Sequence, residues 1–271
     1  MVEINSIKID LGQKLTFIAG PCVIENESMI MKTAEALKLA LESIPAQFIF
    51  KSSYRKANRT SISGFSGLDF VEALRILRRV RSELELPVLT DVHNEMEIPI
   101  VAEVADVIQI PAFLSRQTDL LIAAGRTKKA VNIKKGQFLA PEDMAKAAEK
   151  VASTGNEKIL LTERGTSFGY RNLVVDMRGL LVMQRTSYPV VYDATHSVQI
   201  PSGLGTASGG QPQFILPLAK AALASGAVSA LFMEVHPDPS NALSDAATQF
   251  PLRQFRKAAE KLIEIYEIAK S

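Results

Sequence analysis

The chain has 271 residues, 47% of them hydrophobic, which is ample for the core of one large domain. Thirty-one Lys and Arg against 29 Asp and Glu leave a formal net charge of +2, without the basic excess of a nucleic-acid binder. The lone cysteine, Cys22, excludes an internal disulfide; no run nears the roughly 18 apolar residues that cross a bilayer; and the N-terminus lacks signal-peptide order. The expectation is therefore a soluble cytoplasmic protein with no nucleic-acid or membrane partner.

Residues 2–14 alternate apolar and polar positions around "DLGQK" and read as a small hairpin capping the bottom of the domain. The run "LTFIAG" follows, and then Ile30, Ala34, Leu37, Leu41 and Ile44 recur at helical spacing. "QFIFKS" leads into a long polar loop, "SSYRKANRTSISGFSG", and a helix marked by Phe70, Leu74, Leu77, Val80 and Leu84. "PVLTDV", "DVIQIP" and "AVNIKK" are the next strand-like runs. "APEDMAKAAEKVASTG" has helix punctuation: Pro141 suits the first position, Glu142 and Asp143 complement the dipole, and Gly155 suits the C-terminal cap. "KILLTE" and "PVVYDA" precede a second long loop, "ATHSVQIPSGLGTASGGQ". "VSALFMEV" precedes a third, "VHPDPSNALSDAATQ", and the tail repeats helical spacing at Phe255, Ala259, Leu262, Tyr266 and Ala269.

Eight strand-like runs alternating with helices in this length match a (β/α)8 TIM barrel forming one domain over residues 1–271, with 1–14 as its cap. A doubly wound open sheet is the alternative, but its usual Gly-rich first turn is missing. The three long loops all join a strand to the next helix, which on a barrel is the active face. Gly203, Gly205, Gly209 and Gly210 would let the second of them move, or serve tight turns.

The C-terminal ends of the runs hold Cys22, Lys51, Asp91 with His93, Gln109, Asn132 with Lys134 and Lys135, Glu163 with Arg164, Asp193 with His196, and Glu234 with His236. Strand ends are often polar because they reach solvent, but these types are those of catalysis. Lys51, Arg55, Lys56, Arg59, Lys134, Lys135 and Arg164 make a cation cluster that calls for a small polyanion of the phosphorylated kind, unless they are surface ion pairs. Cys22, His196, Glu234 and Asp245 offer a thiolate, an imidazole and carboxylates suited to a divalent transition metal, although their spacing is not diagnostic. A buried hydrophobe and a nucleophile remain alternatives for Cys22. No nucleophile elbow is present.

The ordered motifs "IAGPC", "FKSSYRKANRTS", "TDVH", "VIQIPAFLSRQTDLL", "NIKKGQFLAP", "TERGTSFGY", "YDATHSVQ" and "HPDPSNALSDAATQ" closely resemble those of the 3-deoxy-D-manno-octulosonate 8-phosphate synthases, from about residue 15 to about 255. The resemblance implies a barrel enzyme, usually a homotetramer. It would condense phosphoenolpyruvate with D-arabinose 5-phosphate and water and release phosphate, in lipopolysaccharide biosynthesis. A related synthase uses erythrose 4-phosphate and carries Lys-Pro-Arg-Thr-Ser where this chain has Lys56-Ala57-Asn58-Arg59-Thr60-Ser61, so the arabinose reading is favoured over it. A barrel that binds sugar phosphates without turnover is the other alternative.

One class of the family has Asn after the first strand and needs no metal. The other has Cys, as in Gly20-Pro21-Cys22, and needs a divalent ion. The implied ligands are Cys22, His196, Glu234 and Asp245, and the metal could be Fe, Zn, Mn or Co. The resemblance gives Lys56, Lys134, Arg164 and Gln137 to phosphoenolpyruvate, and Asn58, Arg59 and Thr60 to the pentose phosphate. Lys51, Asp91, Gln109, Ala112 and Phe113 would line the site, and Arg116 would reach the pentose phosphate of a neighbouring subunit. Lys56, Lys134, Arg164, His196 and Asp245 are the catalytic candidates. Two positions depart from the family pattern: Arg55 stands where Asp is expected and Asn94 where Glu is expected, which alters local ion pairs.

Overall fold

The computed structural model describes residues 1–59, 62, 64–170, 172–200 and 209–270. The chain opens with an antiparallel hairpin, β1 (Val2–Ile4) and β2 (Ile7–Ile9). Its turn falls at Asn5, which adopts φ 54°, and not at "DLGQK" as the alternation suggested. Asn tolerates this left-handed conformation better than most residues. Residues 10–14 instead link the hairpin to the barrel.

Then come β3 (Leu15–Gly20), α1 (Glu27–Glu42), β4 (Ala46–Lys51), α2 (Phe70–Glu83), β5 (Val88–Asp91), α3 (Ile98–Val104), β6 (Val107–Ile110) and α4 (Thr118–Arg126). The second half has β7 (Ala130–Lys134), α5 (Met144–Ala152), β8 (Ile159–Glu163), a small hairpin of β9 (Thr166–Phe168) and β10 (Asn172–Val174), and α6 (Met177–Gln184). It ends with β11 (Val190–Asp193), the short pair β12 (Gln199–Ile200) and β13 (Gly209–Gly210), α7 (Ile215–Ala224), β14 (Val228–His236), β15 (Phe250–Pro251) and α8 (Leu252–Ala269).

Strands β3 to β8, β11 and β14 pair in parallel in that order, and β14 pairs back to β3, so the sheet closes. The ring is the (β/α)8 barrel expected from the eight runs. Helices take the starts their sequences encode. Asn26 accepts a hydrogen bond from Met29 N at 2.9 Å, and Asp69 and Asp176 cap α2 and α6 likewise. Pro141–Asp143 forms a single 3-10 turn before α5, and Gly155 turns the chain at φ 75°.

Period-two alternation divides the barrel residues. Leu15, Phe17 and Ala19 face α1 and α8, while Ile18 faces inward. Ile49, Leu89, Val107, Leu160, Val191 and Phe232 share this inner cluster with Val2, Ile4, Ile7 and Ile9 of the hairpin, which plugs the bottom of the barrel. Above them lies a polar layer: Asn132 donates to Gln109 at 3.0 Å and accepts from Thr162 at 2.6 Å.

The long loops differ from expectation in two ways. The β8–α6 connection is also long, since it carries β9 and β10. Gly209 and Gly210 are not slack: they pair with Ile200 and Gln199. A Cβ at Gly210 would lie 2.2 Å from Thr248 Cγ2, so close approach explains this glycine. Gly203 and Gly205 lie outside the described residues.

Candidate active site

Two positions beyond the inner apolar residues, the same alternation delivers the chemistry. Ile49 leads to Lys51, Leu89 to Asp91, Val107 to Gln109, Val191 to Asp193 and Phe232 to Glu234. Ala130 leads through Asn132 to Lys134, and Leu160 through Thr162 to Arg164. These side chains are inside, not at solvent: Lys51 is 1%, Asp193 0% and Glu234 0% exposed. Burial of this many charges contradicts the reading that the strands merely end in water.

They surround a cavity of about 410 Å³ at the C-terminal mouth of the barrel. Its lining includes Lys51, Lys56, Asn58, Asp91, Gln109, Ala112, Phe113, Lys134, Gln137, Arg164, His196, Glu234 and Asp245. Most of the expected site is thus in one place. Arg59 is exposed and does not line the cavity, and Thr60 lies outside the described residues. Arg116 is exposed and lines a separate cavity with Phe138, Lys146 and Lys150. Lys135 is not part of the cation cluster: it points into the wall, donating to Leu139 O at 3.2 Å and Thr166 Oγ1 at 3.0 Å. His236 is also elsewhere, accepting from Asp238 N at 3.0 Å.

The cations come already paired. Lys51 donates to Glu234 Oε1 at 2.8 Å, Lys56 to Asp245 Oδ2 at 3.3 Å and Lys134 to Asp193 Oδ2 at 2.5 Å. Burial disfavours each ammonium, yet Glu234 with Cys22 keeps Lys51, and Cys22 with Asp245 and Glu234 keeps Lys56, above the ordinary value. For Lys134 burial wins and its pKa falls; Lys51 nearby adds to the fall. The Lys134 ammonium also stands 3.6 Å over the Phe232 ring. Arg164 has no carboxylate in contact among the described residues: Nη2 donates to Gln199 at 2.9 Å and Nη1 is buried without a partner. Other unsatisfied buried atoms lie around the same cavity, namely Asp91 Oδ1, Gln137 Oε1 and Glu234 Oε2. Such a concentration marks a place where a ligand completes the bonding.

Cys22, Glu234 and Asp245 offer ligand atoms that all lie within 4.8 Å of one another. Cys22 follows Gly20, where a Cβ would sit 2.1 Å from Lys51 O, so only glycine brings β3 this close to the end of β4. Gln249 accepts from Cys22 N at 3.1 Å and fixes the loop. Cys22 Sγ lies 3.1 Å from Asp245 Oδ2, and Asp245 takes φ 47°, a left-handed conformation that Asp, like Asn, adopts more readily than most residues. His196 Nε2 is 3.5 Å from Glu234 Oε1 and 4.0 Å from Asp245 Oδ2. Its Nδ1 is 2.8 Å from Asp193 Oδ2, which fixes the ring as a carboxylate behind a ligand histidine does. The donor set and the orphaned Glu234 Oε2 fit a divalent transition metal. Burial and then the Asp245 and Glu234 carboxylates push the Cys22 thiol well up, so it is a poor nucleophile as it stands.

The sequence marks Asp193 only as one of the strand-end residues, with no specific role, and Gln199 not at all; Asp193 proves central, since it also accepts from Thr195 N at 3.2 Å and His196 N at 2.9 Å. Its place two residues beyond inner Val191 was the signal available. Gln199 follows a loop, and no periodicity reaches it.

Among known proteins, a family model described as the DAHP synthetase I family matches residues 1–271. A protein of Syntrophotalea carbinolica named 2-dehydro-3-deoxyphosphooctonate aldolase is 55% identical over 269 residues, 99% of this chain and 97% of the relative. Proteins of the same name from Magnetococcus marinus and Geobacter sulfurreducens are 52% and 49% identical, each over 99% of this chain and covering 93% and 98% of the relatives. With a closed barrel, a cation-lined mouth and this near full-length identity, the chain belongs to the DAHP synthetase I family, among its 2-dehydro-3-deoxyphosphooctonate aldolases.

Proposed function

We propose that this protein is an enzyme, a 3-deoxy-8-phosphooctulonate synthase that condenses phosphoenolpyruvate with D-arabinose 5-phosphate and water, releasing phosphate. The observation that carries the reading is the near full-length identity to proteins named for this product. The cavity, with its unsatisfied Arg164 and Gln137, supports it. The barrel over 1–271 acts as one domain, in the cytoplasm, as part of a homotetramer, and contributes to lipopolysaccharide biosynthesis.

Lys51, Lys56, Lys134, Gln137 and Arg164 bind the phosphate and carboxylate of phosphoenolpyruvate. Asn58, Arg59 and Thr60 receive the pentose phosphate, with Arg116 of a neighbouring copy. Holding both substrates lets C3 of the enol attack the aldehyde carbon while water adds at C2; the tetrahedral adduct then expels phosphate. Cys22, His196, Glu234 and Asp245 hold a divalent Fe, Zn, Mn or Co ion, which supplies Lewis acidity and a fixed orientation for oxygen donors when bound. With Glu234 and Asp245 committed to that ion, the charges of Lys51 and Lys56 are left for the substrate anions to balance. Asp193 holds the hydrogen on His196 Nδ1 and so leaves Nε2 for ligation. Asp245 keeps one carboxylate oxygen to accept a proton from the adding water.

Phosphate release is measured with phosphoenolpyruvate and each aldose phosphate in turn. Release with arabinose 5-phosphate is the expected outcome. Release with erythrose 4-phosphate alone would assign the related synthase, and binding without release a non-catalytic barrel.

A further inference from the structure

Beside the cavity, away from the four ligand candidates, runs a string of hydrogen bonds that the proposed chemistry does not use. Asp91 lines the cavity; its Oδ2 lies 3.1 Å from His93 Nε2, while its Oδ1 is buried with no partner. His93 Nδ1 lies 3.1 Å from the Tyr54 hydroxyl, which is 2.5 Å from Glu97 Oε2. Arg55 donates to Glu97 Oε1 at 2.8 Å, and Glu97 N donates to Asn94 Oδ1 at 3.1 Å. The two departures noted in the sequence, Arg55 and Asn94, therefore converge on one residue, Glu97. Tyr54 is fully buried, with its ring edge-on to Phe70 and to His93 at centroid distances of 5.2 and 5.4 Å.

Counting hydrogens decides how this string is wired. Asp91, His93, Tyr54 and Glu97 are joined by three links, and each link needs one hydrogen between its heavy atoms. A neutral imidazole and a phenol bring only two. With both carboxylates ionised, the third hydrogen sits on the ring. His93 then donates from Nε2 to Asp91 and from Nδ1 to Tyr54, and Tyr54 donates to Glu97. The charges of Arg55 and His93 balance those of Asp91 and Glu97. Burial, with the Glu97 hydrogen bond, raises the Tyr54 pKa and keeps the phenol protonated. Burial works to raise Asp91 too, but the hydrogen bond and charge of His93, with Lys51 and Lys56, outweigh it and hold the carboxylate low.

The geometry points to Tyr54 as a positioning residue: with Arg55 and Glu97 it holds His93 doubly protonated, and His93 holds Asp91 with Oδ1 left to accept a hydroxyl of the aldose phosphate. The substrate half of this proposal rests on the reading of the cavity given above.

Tyr54→Phe keeps the ring contacts and removes only the hydroxyl. The chain has three histidines, so ring-nitrogen NMR of the folded protein is simple to assign, with His93→Gln as the control. In the wild type the His93 ring shows two N–H nitrogens at neutral pH, and in Tyr54→Phe it shows one. The KM for arabinose 5-phosphate rises about tenfold in Tyr54→Phe while that for phosphoenolpyruvate holds. Arg55→Gln moves both readouts the same way by less. A single N–H on His93 in the wild type overturns the proposal. So does a Tyr54→Phe variant in which either the ring spectrum or the aldose KM is unchanged, or in which both KM values rise equally. Should the wild type release no phosphate with any aldose phosphate, the cavity reading fails and takes the substrate half with it; the ring spectrum still decides the state of His93.

Discussion

Cys22 is buried, and its thiol is pushed up by that burial and by Asp245 and Glu234. A thiol in such a place becomes a thiolate only against a cation. Protein purified without added metal should therefore contain a divalent ion by elemental analysis. A chelator should abolish phosphate release, added metal should restore it, and Cys22→Ala should lower metal content and activity by at least about tenfold. Full activity in a metal-free sample would sink the ligand role. Cys22→Asn tests whether a metal-independent activity survives. Two phenols offer a separate readout. Burial, helped by Glu157 for Tyr188 and Glu267 for Tyr266, pushes both up to about 12. Because these pKa values lie above the ordinary phenol value of about 10, their hydroxyls contribute fully below that pH and lose the contribution as pH rises through 12. A phenolate absorbance titration of the folded protein should show two groups ionising near pH 12, one of them missing in Tyr188→Phe.

At the scale of elements, the alternation that builds the barrel also places the chemistry, and this is why so much of the site was legible. A strand that must put Ile49 inside must put Lys51 inside, and likewise Val107 and Gln109. What alternation does not report is the neighbour across the mouth. Lys51 finds Glu234 from β14, and Lys134 finds Asp193 from β11, because register around the closed sheet sets these pairs. Of the cations lining the cavity, Lys51, Lys56 and Lys134 are accordingly ion-paired, while Arg164 has no carboxylate in contact among the described residues. Tyr54 and Glu97 stand 43 residues apart on two loops, and no local pattern joins them. The hairpin was legible as an element but not its turn, since Asn5 and "DLGQK" both suit reversals. Its apolar face is a structural part of the barrel. Ile9→Ala should cost about 2–4 kcal/mol in urea unfolding, with little change in KM for either substrate.

At the scale of the whole molecule, Arg116 lies outside the cavity lined by Lys134 and Arg164. If Arg116 serves a neighbouring copy, Arg116→Ala and Lys134→Ala chains are each nearly inactive alone. Dissociated together and reassembled, they should recover up to about a quarter of wild-type activity, the share of sites with both residues intact in a random oligomer. No recovery, or a monomer by sedimentation, would count against the assignment. Reading Arg116 as an intermolecular residue needed the family resemblance; a single chain leaves it simply exposed.

The hairpin plug described above makes the barrel a blind tube. With Val2, Ile4, Ile7 and Ile9 filling its floor, the described residues leave no back door there for a released ion. Whatever Lys134 and Arg164 grip, each only 5% exposed, must arrive before the exposed Asn58 and Arg59 are occupied. It must also leave after them. Traffic is then last in, first out, and kinetics should be ordered: a product held by Lys134 and Arg164, the last to leave, acts as a competitive inhibitor against the first substrate only.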